Sequence, residues 1–168
     1  MNGKRLRAVL LLFCFALLSG CGYELVRDKG VYNGQIISLN VPVFANETFE
    51  PRVPEFFTEA FSMELAGSGL FRINEAGADA TLQGTIRNMT TGPAALTAAG
   101  QTLEKTVAVT IGLTLARQDK VLKRWAFADS EVYDASNINS EDFNRRAALE
   151  RIASRMARRF HSQLLAVY

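Results

Sequence analysis

TLEKTVAVTIGLTLA, residues 102–116, decides the fold class. Leu103, Val107, Val109, Ile111, Leu113 and Leu115 fall on one face of an extended chain, and Lys105 alone breaks that odd-numbered set. Thr102, Glu104, Thr106, Thr110 and Thr114 fall on the other face. Alternation of period two over this length predicts a long strand with one dry and one polar face. Residues 117–120 read as a polar turn, and residues 121–133 as the returning strand, carrying Trp125 and Phe127. The two strands form a predicted β-hairpin.

The pattern extends upstream. Residues 80–89 read as a strand with Ala80, Leu82, Gly84 and Ile86 on one face, and residues 90–100 as a loop or hairpin tip. Residues 36–44 form the first predicted strand: Ile37, Leu39, Val41 and Val43 alternate with Ser38, Asn40 and Pro42. Pro42 cannot donate to a ladder, which places it at an edge or near the strand end. Pro54 suits the first turn of a helix over residues 54–66, with Phe57, Ala60, Phe61, Met63 and Leu65 on its apolar side and Gly67 and Gly69 ending it. Residues 70–73 read as a short extended piece.

The last predicted element is a helix with Ser140 as N-cap and Glu141 and Asp142 in its first turn, where the helix dipole favours acids. Leu149, Ile152, Ala153, Met156, Phe160, Leu164 and Val167 form one stripe, with Arg151, Arg155 and Arg158 opposite. The order is β-α-β-β-β-α. The expected fold class is α/β, an α+β two-layer sandwich: a four-stranded sheet with two helices on one face. Trp125 and Phe160 are expected inside, and the Thr-rich sheet face is left for water or a partner.

The N-terminus carries a different signal. Lys4, Arg5 and Arg7 precede the apolar run AVLLLFCFALL, residues 8–18, and then Leu18-Ser19-Gly20-Cys21. A spanning helix needs about 20 apolar residues, so this run is too short and reads as a signal peptide. Small residues before a cysteine match the bacterial lipobox, with cleavage before Cys21 and acylation of its thiol and new amino group. Several acyl chains anchor a domain without a spanning helix. Gly22, where inner-membrane lipoproteins often carry Asp, favours the outer membrane. The expected organisation is a signal peptide over 1–20, a lipidated tether over 21–35 and a single domain over 36–168. Cys14 leaves with the leader and the Cys21 thiol is consumed, so no disulfide, thiolate metal site or cysteine nucleophile is expected in the mature chain.

The 168 residues have an ordinary globular composition, with 48% hydrophobic and 21% charged. The net charge of +2 comes from the leader: without its three cations, 16 basic residues face 17 acidic ones. A nucleic-acid partner is therefore not expected. His161 is the single histidine, on the flank of the last helix, with no nearby pattern of a catalytic triad. No nucleotide-binding, nucleophile-elbow or zinc-protease spacing occurs, so neither an enzyme, a metal nor a cofactor is expected. The arginine stripe reads first as a solvated helix face, and alternatively as a contact for lipid phosphates or a partner's carboxylates. Arg145 and Arg146 lie nearer the apolar side and at the helix end where cations are disfavoured, which points to a partner beyond the sheet edge. Arg117, Lys120, Lys123 and Arg124 cluster at the hairpin turn, keeping it soluble or binding an anionic headgroup.

CGYEL (21–25), ISLNVPVFANETFEP (37–51), LQGTI (82–86), Gly100-Gln101 with Glu104, and the C-terminal helix, in that order and spacing, resemble the lipopolysaccharide-assembly lipoprotein family LptE. The resemblance implies a non-enzymatic subunit that plugs the LptD outer-membrane β-barrel, assists its assembly and helps deliver lipopolysaccharide to the outer leaflet. It implies an anchor in outer-membrane lipid on the periplasmic side. Some members carry basic residues before the third strand, implicated in binding lipopolysaccharide; here Ala98-Ala99 stand there. The lipopolysaccharide contacts to look for are then Arg87, Lys105, Arg117, Lys120, Lys123 and Arg124, and the partner contacts Arg145, Arg146, Arg151, Arg155 and Arg158. A free outer-membrane lipoprotein binding lipid or cell wall is the alternative.

Overall fold

The computed structural model describes residues 31–166 except Asn33 and Glu75. The leader, Cys21 and Val167 lie outside the described residues. The elements are β1 (Ser38–Asn40), β2 (Ala45–Asn46), α1 (Val53–Gly67), β3 (Arg72–Ile73), β4 (Ala80–Leu96), β5 (Thr102–Arg117), β6 (Lys120–Asp134) and α2 (Ile138–Leu165). The class is mixed α/β with a sheet and two helices, as expected, but the sheet has six strands rather than four. The order is β-β-α-β-β-β-β-α, not β-α-β-β-β-α.

Three local causes account for the difference. The first predicted strand shortens to β1, ending before Pro42, and β2 forms just past its expected end at Phe44; both pair in parallel with β4. The extended piece near residue 72 pairs in parallel with β1 and becomes β3. The predicted loop over 90–100 is mostly strand: β4 runs to Leu96, with irregularities near Arg87 and Ala94 that break the alternation visible in sequence. The path is β3-β1-β4-β5-β6, with β2 beside β4.

The β5–β6 hairpin forms as read. Gln118 and Asp119, both at positive φ (46° and 64°), make its two-residue turn, and that left-handed pair matches the twist of the flanking strands. Ile111 faces Phe127 and Leu113 faces Trp125 across the ladder. Val107, Val109, Ile111, Leu113 and Leu115 are all buried, whereas Leu103 is exposed near the strand end. In the first strand region, Ile36, Leu39, Val41 and Phe44 are buried and Val43 is exposed. Ser38 is buried too, because its hydroxyl and backbone N–H donate to Asp79, as does the Ile37 N–H.

α2 begins earlier than expected. Asn137 is the N-cap, its side-chain oxygen accepting from the Asn139 N–H, and Ser140 sits inside the helix. Leu149, Ile152, Ala153, Met156, Phe160 and Leu164 are buried as the stripe predicts. Phe160 lies at the centre of the core. It packs edge-on against Trp125 (5.1 Å between centroids) and Phe127 (6.4 Å), and tilted against Phe61 (5.7 Å). Phe61 in turn meets Phe44 at 5.3 Å. Phe44 lies flat on Gly84: a Cβ there would come within 2.3 Å of its ring. Phe160 is fully buried and Trp125 partly so.

Candidate functional site

The sheet's two faces have different fates. Both helices pack on the face that carries Leu82, Ile111 and Phe127. The register sends Thr81, Gln83, Thr85 and Asn88 of β4, Thr106, Thr110 and Thr114 of β5, and Arg124, Ala126 and Ser130 of β6 to the other face. None of these is buried. The result is a broad surface of hydroxyls, amides and small side chains with few charges. The irregularity at Arg87 lays its guanidinium over buried Gly112, where a Cβ would lie 2.6 Å from Nε. Arg87 is thus spread along this face rather than projecting from it.

The basic residues of the β5–β6 turn share one end of the sheet but not one face: Lys123 lies opposite buried Leu115 and Arg124 opposite Thr114. Lys120 and Arg124 are exposed and make no ion pair among the described residues. The Lys123 ammonium sits 5.3 Å from the centre of the Trp125 ring. Arg117 donates through Nη1 to the Gln35 side-chain oxygen at 3.2 Å. Val31, buried, bridges to Ile36 just beside this contact, so the incoming chain joins the fold at the turn end of the sheet.

The opposite end is a mixed-charge cluster. Lys105 Nζ donates to Glu141 at 2.6 Å, and this bond, with the carboxylate's charge, holds the ammonium above its usual range. Lys105 is therefore tied to the first turn of α2. The buried Tyr133 hydroxyl finds no hydrogen-bond partner among the described residues, and burial, with the Glu141 charge, pushes its pKa up. Arg145 bridges Glu50 (2.9 Å) and Asp142 (3.2 Å), and Arg146 also reaches Asp142 (3.2 Å). These groups line a cleft of about 300 Å³ between the loop before α1 and the start of α2, with Arg52 and Phe56 opposite. Three guanidiniums against two carboxylates leave it close to neutral. Phe49, Ile138 and Phe143 stand exposed around the same end.

The arginine stripe of α2 turns inward over the edge strand. Arg155 donates to Asp129 (2.9 Å), Glu131 (2.7 Å) and the Ser130 carbonyl (3.1 Å), and Arg151 donates to Glu131 (2.8 Å). Burial pushes the Asp129 carboxyl up, but the Arg155 hydrogen bond, the Ser130 N–H and the nearby cations outweigh it and the pKa falls. Glu131 behaves alike with Arg155 and Arg151. Arg158 is exposed. Asp129 and Glu131 were the readable signal: they alternate with the same spacing as Trp125 and Phe127, which puts carboxylates on the helix-covered face. His161 Nδ1 meets Glu64 at 3.1 Å and links α2 to α1. No group of three or more metal-ligating side chains occurs among the described residues. Nor is any described helix long and apolar enough to cross a membrane.

The lipopolysaccharide-assembly family LptE matches residues 37–164, which covers all six strands, α1 and all but the last residue of α2. The chain belongs to the LptE family. No curated protein gives a significant match. Among solved structures, a lipoprotein from Caulobacter crescentus is 15% identical, with a TM-score of 0.54, over 73% of this chain and 87% of its own. The rare lipoprotein B of Shewanella oneidensis is 11% identical, TM-score 0.52, over 77% and 95%. A Xanthomonas campestris protein is 9% identical, TM-score 0.52, over 73% and 81%. At such identities these likenesses speak to the fold alone: the LptE chain shares its two-layer architecture with other bacterial proteins, lipoproteins among them. Its role is that of a lipopolysaccharide-assembly lipoprotein.

Proposed function

We propose that this chain is anchored through acylated Cys21 in the outer membrane, fills the lumen of an LptD-type β-barrel, and helps it assemble and pass lipopolysaccharide to the outer leaflet. The observation that carries the reading is the family match over residues 37–164. The open Thr-rich face supports it physically. A wide outer-membrane barrel has a polar interior that a compact plug must satisfy by hydrogen bonding. Hydroxyls and amides on an open sheet face do this without burying unpaired charge, whose desolvation costs far more. The cations of α2 that Asp129, Glu131 and Glu50 already neutralise serve the domain's own assembly. Binding of lipopolysaccharide itself falls to groups left open, with Arg87 on the sheet face the foremost.

The role is catalytic in no step; it is one of occupancy and delivery. Depletion of the chain from growing cells tests it. The expected result is loss of mature barrel from the outer membrane and retention of newly made lipopolysaccharide inside it. Normal surface lipopolysaccharide with a fully assembled barrel would contradict the reading.

A further inference from the structure

We propose that the β5–β6 turn, through Lys120, Lys123 and Arg124, rests on the anionic phospholipid headgroups of the leaflet that holds the Cys21 acyl chains. The inference rests on the Cys21 anchor. The turn is where the chain arriving from Cys21 meets the fold: Val31 is buried and bridged to Ile36, and Gln35 accepts from Arg117 at the base of the turn.

Chain length then sets the geometry. Cys21 and Val31 are ten residues apart, which spans at most about 35 Å. β5 has 16 residues, a length of about 50 Å. The tether keeps Val31, and with it the turn end, within about 35 Å of the bilayer; a sheet standing upright on its turn would carry Phe49, Ile138 and Phe143 away from it. Charge follows the same axis. Residues 117–124 hold Arg117, Lys120, Lys123 and Arg124 against the single carboxylate of Asp119. At the far end, Glu50, Glu141 and Asp142 pair with Lys105, Arg145 and Arg146, and Glu104 and Asp134 lie opposite each other across the ladder. Anionic headgroups attract only the first of these ends, and only within a Debye length. The left-handed pair Gln118-Asp119 fixes the turn's shape, and the ring beneath Lys123 fixes one ammonium, so little freedom is lost on contact.

The test uses protein expressed as the full chain and extracted from membranes, its acylation verified by intact mass. After acylation the mature chain has no other thiol, so Val121→Cys and Phe143→Cys each give one dye site. Energy transfer to a headgroup acceptor is read in vesicles of phosphatidylethanolamine with or without a quarter of phosphatidylglycerol. We expect the dye at 121 to transfer more than the dye at 143, with a further gain on adding phosphatidylglycerol. Raising salt from about 0.02 to about 0.5 M shortens the screening length from roughly 20 to roughly 4 Å and should remove that gain. Lys120→Glu, Lys123→Glu and Arg124→Glu combined should remove it too. Transfer at 121 that ignores phosphatidylglycerol and salt reflects the tether alone and overturns the proposal; the salt series needs no charge variant. A gain seen only with added lipopolysaccharide makes the turn a lipopolysaccharide contact and also overturns it. An intact mass without acyl groups identifies the anchor itself as the failed premise.

Discussion

Replacing Phe160 by alanine removes the ring on which the two layers meet. Phe160 is fully buried and packs against Phe61, Trp125 and Phe127 from one position on α2. Truncating a buried Phe costs about 3–5 kcal/mol, the upper end where the site cannot collapse. Here the neighbours are held from both sides: Phe61 by Phe44, and Trp125 and Phe127 by the β5–β6 ladder. The loss should therefore fall near the top of that range. With a urea slope of about 2 kcal/mol per molar, the midpoint should drop by about 2 M. Trp125 is the chain's single tryptophan and lies 5.1 Å from the lost ring, so its fluorescence follows the transition. Its native emission should also shift to the red as the cavity admits solvent. A destabilisation under about 1 kcal/mol would refute the core assignment, since it would equal that of an ordinary surface change.

Three further expectations follow from other parts of the fold. Gly84→Ala places a Cβ 2.3 Å from the Phe44 ring and should cost about 1–3 kcal/mol by overpacking. Gly92→Ala on the same strand meets nothing within 4 Å, so the two urea midpoints should differ clearly. Arg155→Ala should raise the Asp129 and Glu131 carboxyl pKa values, read by NMR titration; with Arg155 about a third exposed, solvent screening limits the stability loss to about 1 kcal/mol. The Asp79 carboxyl is held below its usual range by hydrogen bonds from the Ile37 N–H and the Ser38 hydroxyl and N–H. Its stabilisation is complete above about pH 4 and is lost as pH falls through the lower folded-state value. Stability of the Asp79→Asn variant should accordingly fall less steeply below pH 4, as measured by urea midpoints across that range.

The hairpin and the apolar stripe of α2 were legible because one face of each meets the core along its length. Alternation in 102–116 and the spacing from Leu149 to Leu164 state that burial directly. The short parallel strands were not legible. β2 and β3 have two residues each, too few to show a period. The end of β4 was hidden by its irregularities, and Pro93 within it reads as a breaker. Ser140 was a plausible cap, but Asn137 is the residue whose side chain reaches a free backbone N–H. The charged surface was only half legible. Sequence places Arg151 and Arg155 opposite the apolar stripe, but their carboxylate partners lie 20 or more residues away, and only the packing of α2 over β6 joins them. The same holds for Arg145 and Glu50, 95 residues apart. The tie between Gln35 and Arg117, which sets where the tether enters, spans 82.

Affinity purification of the tagged full-length chain from outer membranes under gentle detergent, with mass spectrometry of its companions, tests the translocon assignment most directly. A large β-barrel recovered at near-equal stoichiometry is the expected result. The lipoprotein recovered alone, with the detergent shown to leave other barrel complexes intact, would contradict it.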